Sequence, residues 1–174
     1  MSKTLIIYST TDGQTKIICN KIKQNSKKNE LIRIISLCEV NNLDLIEYSK
    51  IIIGASIRYG KHKSELFSFI KKNKKILDIK KTAFFSVNVV ARKIEKSLPE
   101  TNPYMKKFLE KTTWLPNKLA VFAGKIDYPN YSFIDKQVIR FIMLITKGPT
   151  DTSKSYEFTN WNKVNEFARE IDQL

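Results

Sequence analysis

The sequence predicts an α/β domain built on a doubly wound, five-stranded parallel sheet. Three observations predict it. Five short runs are nearly continuous in apolar residues, as strands covered on both faces are. Amphipathic stretches of helical period lie between them. A hydroxyl-rich turn, "STTDGQT" (9–15), joins the first run to the first of those stretches, at the strand end where open parallel sheets bind ligands.

In chain order, "TLIIY" (4–8) reads as the first strand and 14–27 as the first helix. "LIRII" (31–35) and "KIIIGAS" (50–56) follow as strands. The next helix, 63–76, carries an apolar stripe of Leu66, Phe69, Ile70 and Ile76, with Glu65 and the lysines outward. "TAFFSVN" (82–88) is the fourth strand, 102–112 a helix, and "LAVFAGK" (119–125) the fifth strand. Residues 126–148 form an insertion that a five-stranded domain does not need. After it come a short strand, "SYEF" (155–158), and a last helix, 160–173. That helix shows Trp161, Val164, Phe167, Ala168 and Ile171 on one face and Asn160 as N-cap. The whole chain, 1–174, reads as one domain with right-handed crossovers.

The chain has 31 Lys+Arg against 17 Asp+Glu, a formal net charge of +14. Such a balance points to an acidic partner or to a coat of solvated lysines, as in "KKNKKILDIKK" (71–81). No helix-turn-helix, zinc or single-strand-binding signature accompanies the lysines, so no nucleic-acid partner is expected. Cys19 and Cys38 have no metal or redox spacing, and both read as buried small apolar residues suited to a reducing cytoplasm. No metal is expected. "MSKTLIIYS" is too short an apolar run for a signal peptide, and no stretch approaches the roughly 20 apolar residues needed to span a bilayer.

The turn at 9–15 carries neither GxxxxGK[ST] nor GxGxxG, which argues against a nucleotide-triphosphate loop or a dinucleotide fingerprint. Hydroxyls and helix N-terminal N–H groups can hold one terminal phosphate without a lysine. The same residues suit a plain helix cap, with Thr10, Thr11 or Asp12 preceding a helix that begins near Gln14.

"STTDGQT" after "LIIY" resembles the FMN-phosphate loop of flavodoxins, with Thr10, Gly13 and Thr15 in matching places. Asp12 departs from that pattern, because an ionised carboxylate cannot donate to a phosphate; either it turns away to cap the helix or the site is weaker. "IIIGASIRYGKHKSELFSFIKK" (51–72), "AFFSVNVVARKIEKSLPETNPYMKKFL" (83–109) and "DTSKSYEFTNWNKVNEFAREI" (151–171) narrow the resemblance. They are similar to the bacterial menaquinone-dependent protoporphyrinogen IX dehydrogenase family over nearly the whole chain. The resemblance implies a flavodoxin-like fold with a helical insertion after strand five, and FMN as cofactor. It implies oxidation of protoporphyrinogen IX with menaquinone as acceptor, in haem biosynthesis. It also implies peripheral association with the cytoplasmic face of the inner membrane.

By the same resemblance, three loops build the flavin site. Loop 1, Ser9, Thr10, Thr11, Asp12, Gly13, Gln14 and Thr15, cradles the phosphate. Loop 2, Ser56, Ile57, Arg58, Tyr59 and Gly60, and loop 3, Ser86, Val87, Asn88, Val89 and Val90 on to about Arg92, flank the isoalloxazine. Tyr59 suits stacking on the flavin, or surface packing at a strand end. Gly60 suits close backbone approach, or an ordinary turn. Arg58, Arg92 and Lys93 are placed to meet porphyrin propionates, or are solvated loop cations. No catalytic residue is identified. His62, the only histidine, reads as a surface residue and not a proton carrier. The plain flavodoxin electron carrier is the alternative reading, although such carriers are usually acidic.

The insertion contains "SFIDKQVIRFIMLITK". As a helix it puts Ile134, Val138, Phe141, Ile142 and Ile145 on one face and Lys136, Arg140 and Lys147 on the other, with Ile139, Met143 and Leu144 widening the apolar zone. A basic amphipathic helix of this kind, about Phe133 to Lys147, suits an anionic membrane surface. The aromatics of "YPNY" (128–131) suit the interface. The alternatives are packing on the domain or on a second subunit in a homo-oligomer.

Overall fold

The computed structural model describes residues 3–27, 31–40 and 43–174. Five strands form one parallel sheet: β1 (Thr4–Ser9), β2 (Ile32–Ser36), β3 (Lys50–Ser56), β4 (Lys81–Val87) and β5 (Lys118–Phe122), in the order β2-β1-β3-β4-β5. The expected doubly wound architecture is present. The order reverses at β1, between β2 and β3, which is where such sheets open a crevice at their carboxyl ends.

Alternation along the central strands divides the core in two. Leu5 and Ile7, Ile51 and Ile53, and Phe84 face one layer, with α2 (Ser64–Ile79) and α3 (Pro103–Lys111) over them. Ile6, Ile52 and Phe85 face the other, under α1 (Gln14–Asn25) and α5 (Trp161–Gln173). Both sets are buried, so β1, β3 and β4 are apolar at successive positions, whereas the edge strands β2 and β5 are partly exposed. Gly54 pairs with Phe85 in register, and a Cβ at Gly54 would sit 2.1 Å from the Phe85 ring. Only glycine lets that ring lie across β3.

The starts of α3 and α5 follow side-chain chemistry. Asn102 accepts from the N–H groups of Tyr104 and Met105 ahead of α3, with Pro103 in the first turn. Asn160 caps α5 in the same way, as its position predicts.

The fifth strand differs from the reading 119–125. β5 ends at Phe122, and Lys125–Asp127 forms a separate strand, β6, antiparallel to β7 (Ser155–Glu157). The chain leaves the sheet at Ala123 and Gly124 because residues after β7 take their carbonyls: Thr159 Oγ1 donates to Ala123 O (2.8 Å) and Phe158 N to Gly124 O (3.1 Å). The insertion then forms α4 (Phe133–Ile145), capped by Ser132. No helix among the described residues is long and apolar enough to cross a membrane.

Cys19 is buried, and burial pushes its thiol up. Cys38 corrects the sequence reading. It is exposed in the turn after β2, 3.0 Å from Ser36 Oγ, where the chain has left the sheet and its two-sided cover.

Candidate functional site

Loop 1 turns β1 into α1. Gly13, at φ 86°, is in the left-handed region and occupies the N-cap position without a side chain to cap the helix. Thr10 Oγ1 accepts from Gly13 N (3.0 Å) and closes the turn. Thr15 is fully buried in the first turn of α1, and its hydroxyl has no hydrogen-bond partner. The first-turn N–H groups of any helix likewise lack intrahelical partners. Buried polar groups are normally satisfied, so an orphan hydroxyl beside free N–H groups marks a place for an acceptor. Asp12 does not cap the helix. It pairs with Arg58 Nη1 (3.0 Å) and accepts from Tyr131 Oη (3.3 Å). The Gln14 side chain donates to Glu157 (3.0 and 3.2 Å) and Thr159 Oγ1 (3.0 Å), tying β7 to α1.

Loop 2 is a tight turn. Arg58 N donates to Lys61 O and Lys61 N to Arg58 O, with Tyr59 (φ 50°) and Gly60 (φ 76°) at its corners. Positive φ at both corners is the primed turn that suits right-twisted chain reversal, and it strains a tyrosine. Tyr59 is exposed and its hydroxyl donates to Asp135. Arg58 lies against two aromatic rings, 5.3 Å from that of Tyr59 and 5.1 Å from that of Tyr131. Partial burial works against its charge, but Asp12 and Asp135 together raise its pKa. Ser56, where the loop leaves β3, also has a buried hydroxyl without a partner.

Loop 3 is joined to loop 2 by Ile57 N donating to Val87 O (2.9 Å). Asn88 caps a short 3-10 turn, Val89–Arg92. Arg92 donates to Val89 O (3.1 Å) and to the carbonyl and hydroxyl of Thr146 (3.0 and 2.8 Å), so it holds the end of α4. Arg58 and Arg92 are therefore engaged by the protein itself. Lys93 is half-buried just beyond.

The three loops converge on one cleft, and α4 covers it with Ile139, Ile142 and Met143. Met143 and Ile139 pack on Ile126 and Tyr128. A wider depression of about 640 Å³ lies on the other flank of loop 1, between Ser36–Cys38 and α2, but loops 2 and 3 contribute nothing to its lining. Convergence of loops distinguishes the cleft, not size.

His62 corrects the surface reading. It is 6% exposed, among Phe67, Phe84 and Phe108, with Nε2 3.0 Å from Ser86 Oγ. Burial, and then the charge of Lys111, lower its pKa to about 4. Tyr131, Asp135, Ile139 and Met143 also belong to the site; the sequence reading assigns Tyr131, Ile139 and Met143 to a membrane-facing insertion and does not single out Asp135. The helical period of the insertion was their one signal, and it points equally well to the outer face.

The flavodoxin domain family matches residues 5–153 of this chain. A protoporphyrinogen IX dehydrogenase [quinone] of Escherichia coli (strain K12) is 43% identical over 178 residues, covering 99% of this chain and 96% of that one. Among solved structures, oxidised Flavodoxin 1 from Bacillus cereus superposes with a TM-score of 0.56 at 17% identity, over 99% of this chain and 98% of its own. A flavoprotein from Lactobacillus acidophilus in complex with FMN does so at 0.50 and 18%, over 70% and 93%. Those two likenesses are of fold.

Proposed function

Because this chain belongs to the flavodoxin domain family, and to its protoporphyrinogen IX dehydrogenase [quinone] branch, we propose that it binds FMN and oxidises protoporphyrinogen IX to protoporphyrin IX, with menaquinone as electron acceptor, in haem biosynthesis. One observation carries the reading beyond the family name. Loops 1, 2 and 3 meet at a single cleft whose wall holds the unpartnered hydroxyl of Ser56, and a second orphan hydroxyl, of Thr15, lies buried in the helix turn that loop 1 opens.

The residues present fit a flavin mononucleotide. Thr10, Gly13 and Thr15 with the first turn of α1 hold the phosphate, and Ser56–Gly60 and Ser86–Val90 flank the ring. Arg58 pairs with Asp12 and so offsets the repulsion a carboxylate would exert on that phosphate. When bound, the flavin supplies two-electron oxidation of the porphyrinogen and reduction of the quinone. Complete aromatisation takes three such oxidations and converts three quinones to quinols. This chain's part is to orient the ring, exclude water under Ile139, Ile142 and Met143, and admit two substrates in turn, an apolar quinone and a porphyrinogen with two carboxylates.

The reading extends to the membrane. Phe133, Ile134, Phe141, Leu144 and Ile145 of α4 are more than half exposed, and Lys136, Arg140 and Lys147 lie on the same helix or just after it. This surface rests on anionic lipid at the cytoplasmic face of the bacterial inner membrane, next to dissolved menaquinone.

The test is the purified protein with protoporphyrinogen IX and a soluble menaquinone analogue. Flavin absorbance bands and acceptor-dependent porphyrin fluorescence are expected. Flavin bands without porphyrin formation would instead identify an electron carrier.

A further inference from the structure

We propose that His62 is a positioning residue that sets loop 3 against the flavin ring, acting through Ser86 and Asn88. The inference rests on the flavin reading for its purpose, but its geometry lies wholly in this chain. His62 stands two residues beyond loop 2, and its Nε2 is 3.0 Å from Ser86 Oγ at the end of β4. Asn88 Nδ2 donates to the same oxygen (3.1 Å). Ser86 thus accepts from Asn88 and has its own hydrogen left to give. His62 Nε2 is the ring atom within reach of that hydrogen, and it accepts it in the neutral tautomer protonated at Nδ1.

The chain of contacts continues inward. Asn88 Oδ1 accepts from Asn102 Nδ2 (3.1 Å) and from Ala91 N (3.2 Å). Asn102 caps α3 and donates to Lys96 O (2.9 Å). Ser86, Asn88 and Asn102 are all buried. One carboxamide, Asn88, therefore holds the 3-10 turn that carries Val89 and Val90 into the cleft, and Ser86 and Asn102 fix its orientation. Ser86 in turn is fixed by His62. Buried networks of this kind hold one geometry and are costly to break at a member whose loss leaves another unpaired.

The experiment compares wild type, His62→Leu, His62→Gln, Ser86→Ala and the His62→Leu/Ser86→Ala double variant, with and without added FMN. Leucine keeps bulk and removes the acceptor; glutamine offers a carbonyl to Ser86. Hydrogen exchange at the amides of Ala91 and Lys93, which bond to Asn88 and Val90, reads loop 3 directly. About tenfold faster exchange is expected in His62→Leu and Ser86→Ala, near wild-type rates in His62→Gln, and no further gain in the double variant. With FMN, the two loosened variants should shift the visible spectrum and midpoint potential of the bound flavin, and glutamine should restore both. Wild-type exchange at Ala91 and Lys93 in His62→Leu overturns the inference, as does acceleration spread evenly over all amides. If His62→Leu does not fold, Ser86→Ala decides in the same way. Failure of the wild type to take up FMN overturns the proposed function, and the exchange comparison still decides whether His62 sets loop 3.

Discussion

Arg58 Nη2 lies 3.0 Å from Asp135 Oδ2, and through this ion pair loop 2 holds the helix inserted after β6. The same guanidinium reaches Asp12 of loop 1, and Arg92 of loop 3 holds Thr146 at the far end of α4. Loops 2 and 3 thus fasten one helix across the common cleft, and loop 1 braces the Arg58 that does so. Arg58 and Asp135 side chains are only 17% and 19% exposed, so their pairing is less screened than a surface bridge.

Removing the cation should therefore free the strap before it unfolds the domain. Arg58→Met leaves Asp12 and Asp135 facing each other and should cost more than Asp135→Asn, which leaves the guanidinium its pairing with Asp12. Limited proteolysis with fragment masses is the measurement. New cuts within 128–148 should appear in Arg58→Met while the sheet stays intact. An unchanged digestion pattern would mean that α4 is held by Met143 and Arg92 alone.

Thr15→Val should act with opposite signs on two observables. The threonine hydroxyl is buried without a partner, so an isosteric methyl removes an unsatisfied polar group and leaves the flavin-free protein as stable or slightly more so. The same change deletes a donor to the phosphate and should weaken FMN binding about tenfold or more. Thermal unfolding without FMN and a fluorescence titration with it measure the two effects. Adding Gly13→Val forces a β-branched residue to φ 86° and should abolish flavin retention. Normal FMN affinity in a folded Thr15→Val/Gly13→Val protein would remove the phosphate from loop 1.

How much of this was legible in the sequence depends on the range of the signal. β1, β3 and β4 are readable because burial on both faces leaves successive apolar residues, visible within a few positions. The end of β5 is not, because "LAVFAGK" stays apolar through Ala123 while the contacts that draw the chain away come from Phe158 and Thr159. His62 carries no periodicity of its own. Its burial results from α2, β4 and α3 meeting around it, through Phe67, Phe84 and Phe108. For α4 the period of 3.6 correctly separates one exposed apolar face, yet treats Ile139 and Met143 as surplus, although they are the face that packs. The pairing of Asp12, Arg58 and Asp135 joins three distant segments and leaves no local trace.

His62 also makes stability depend on pH. Its pKa falls from the usual 6.5 to about 4 because burial, followed by Lys111, disfavours the charged ring. Between those values the unfolded chain binds more protons than the folded one, so stability rises with pH across the window and is lost as pH falls from about 7 toward 4. The full loss is about 3 kcal/mol. Carboxylates such as Asp135 and Asp127 are depressed as well and act in the same direction at lower pH. Subtracting the curve of His62→Gln isolates the ring. Urea unfolding of both proteins at several pH values should give a difference that grows as the solution is acidified. A flat difference between pH 7 and 4 would contradict the buried neutral ring.

The outward face of α4 makes the last prediction. Ile139 and Met143 turn in, while Phe133, Ile134, Phe141, Leu144 and Ile145 are 62–77% exposed. A contiguous apolar face of that kind on a described surface needs a partner. Burial of each side chain in the headgroup boundary contributes on the order of 1 kcal/mol or more. Each nearby Lys or Arg adds about 1 kcal/mol on anionic lipid. Phe141→Asp/Ile145→Asp changes two outward residues and leaves Ile142, which lines the cleft, in place. Wild-type protein should float with vesicles containing anionic lipid at low salt and much less with neutral ones. The double variant should stay in the soluble fraction while keeping its flavin, with about a tenfold loss in partitioning for each residue. Retained flavin separates loss of membrane contact from collapse of the domain. A wild type that ignores anionic vesicles and sediments as a dimer, which the same two aspartates dissociate, would assign this face to a second copy of the chain.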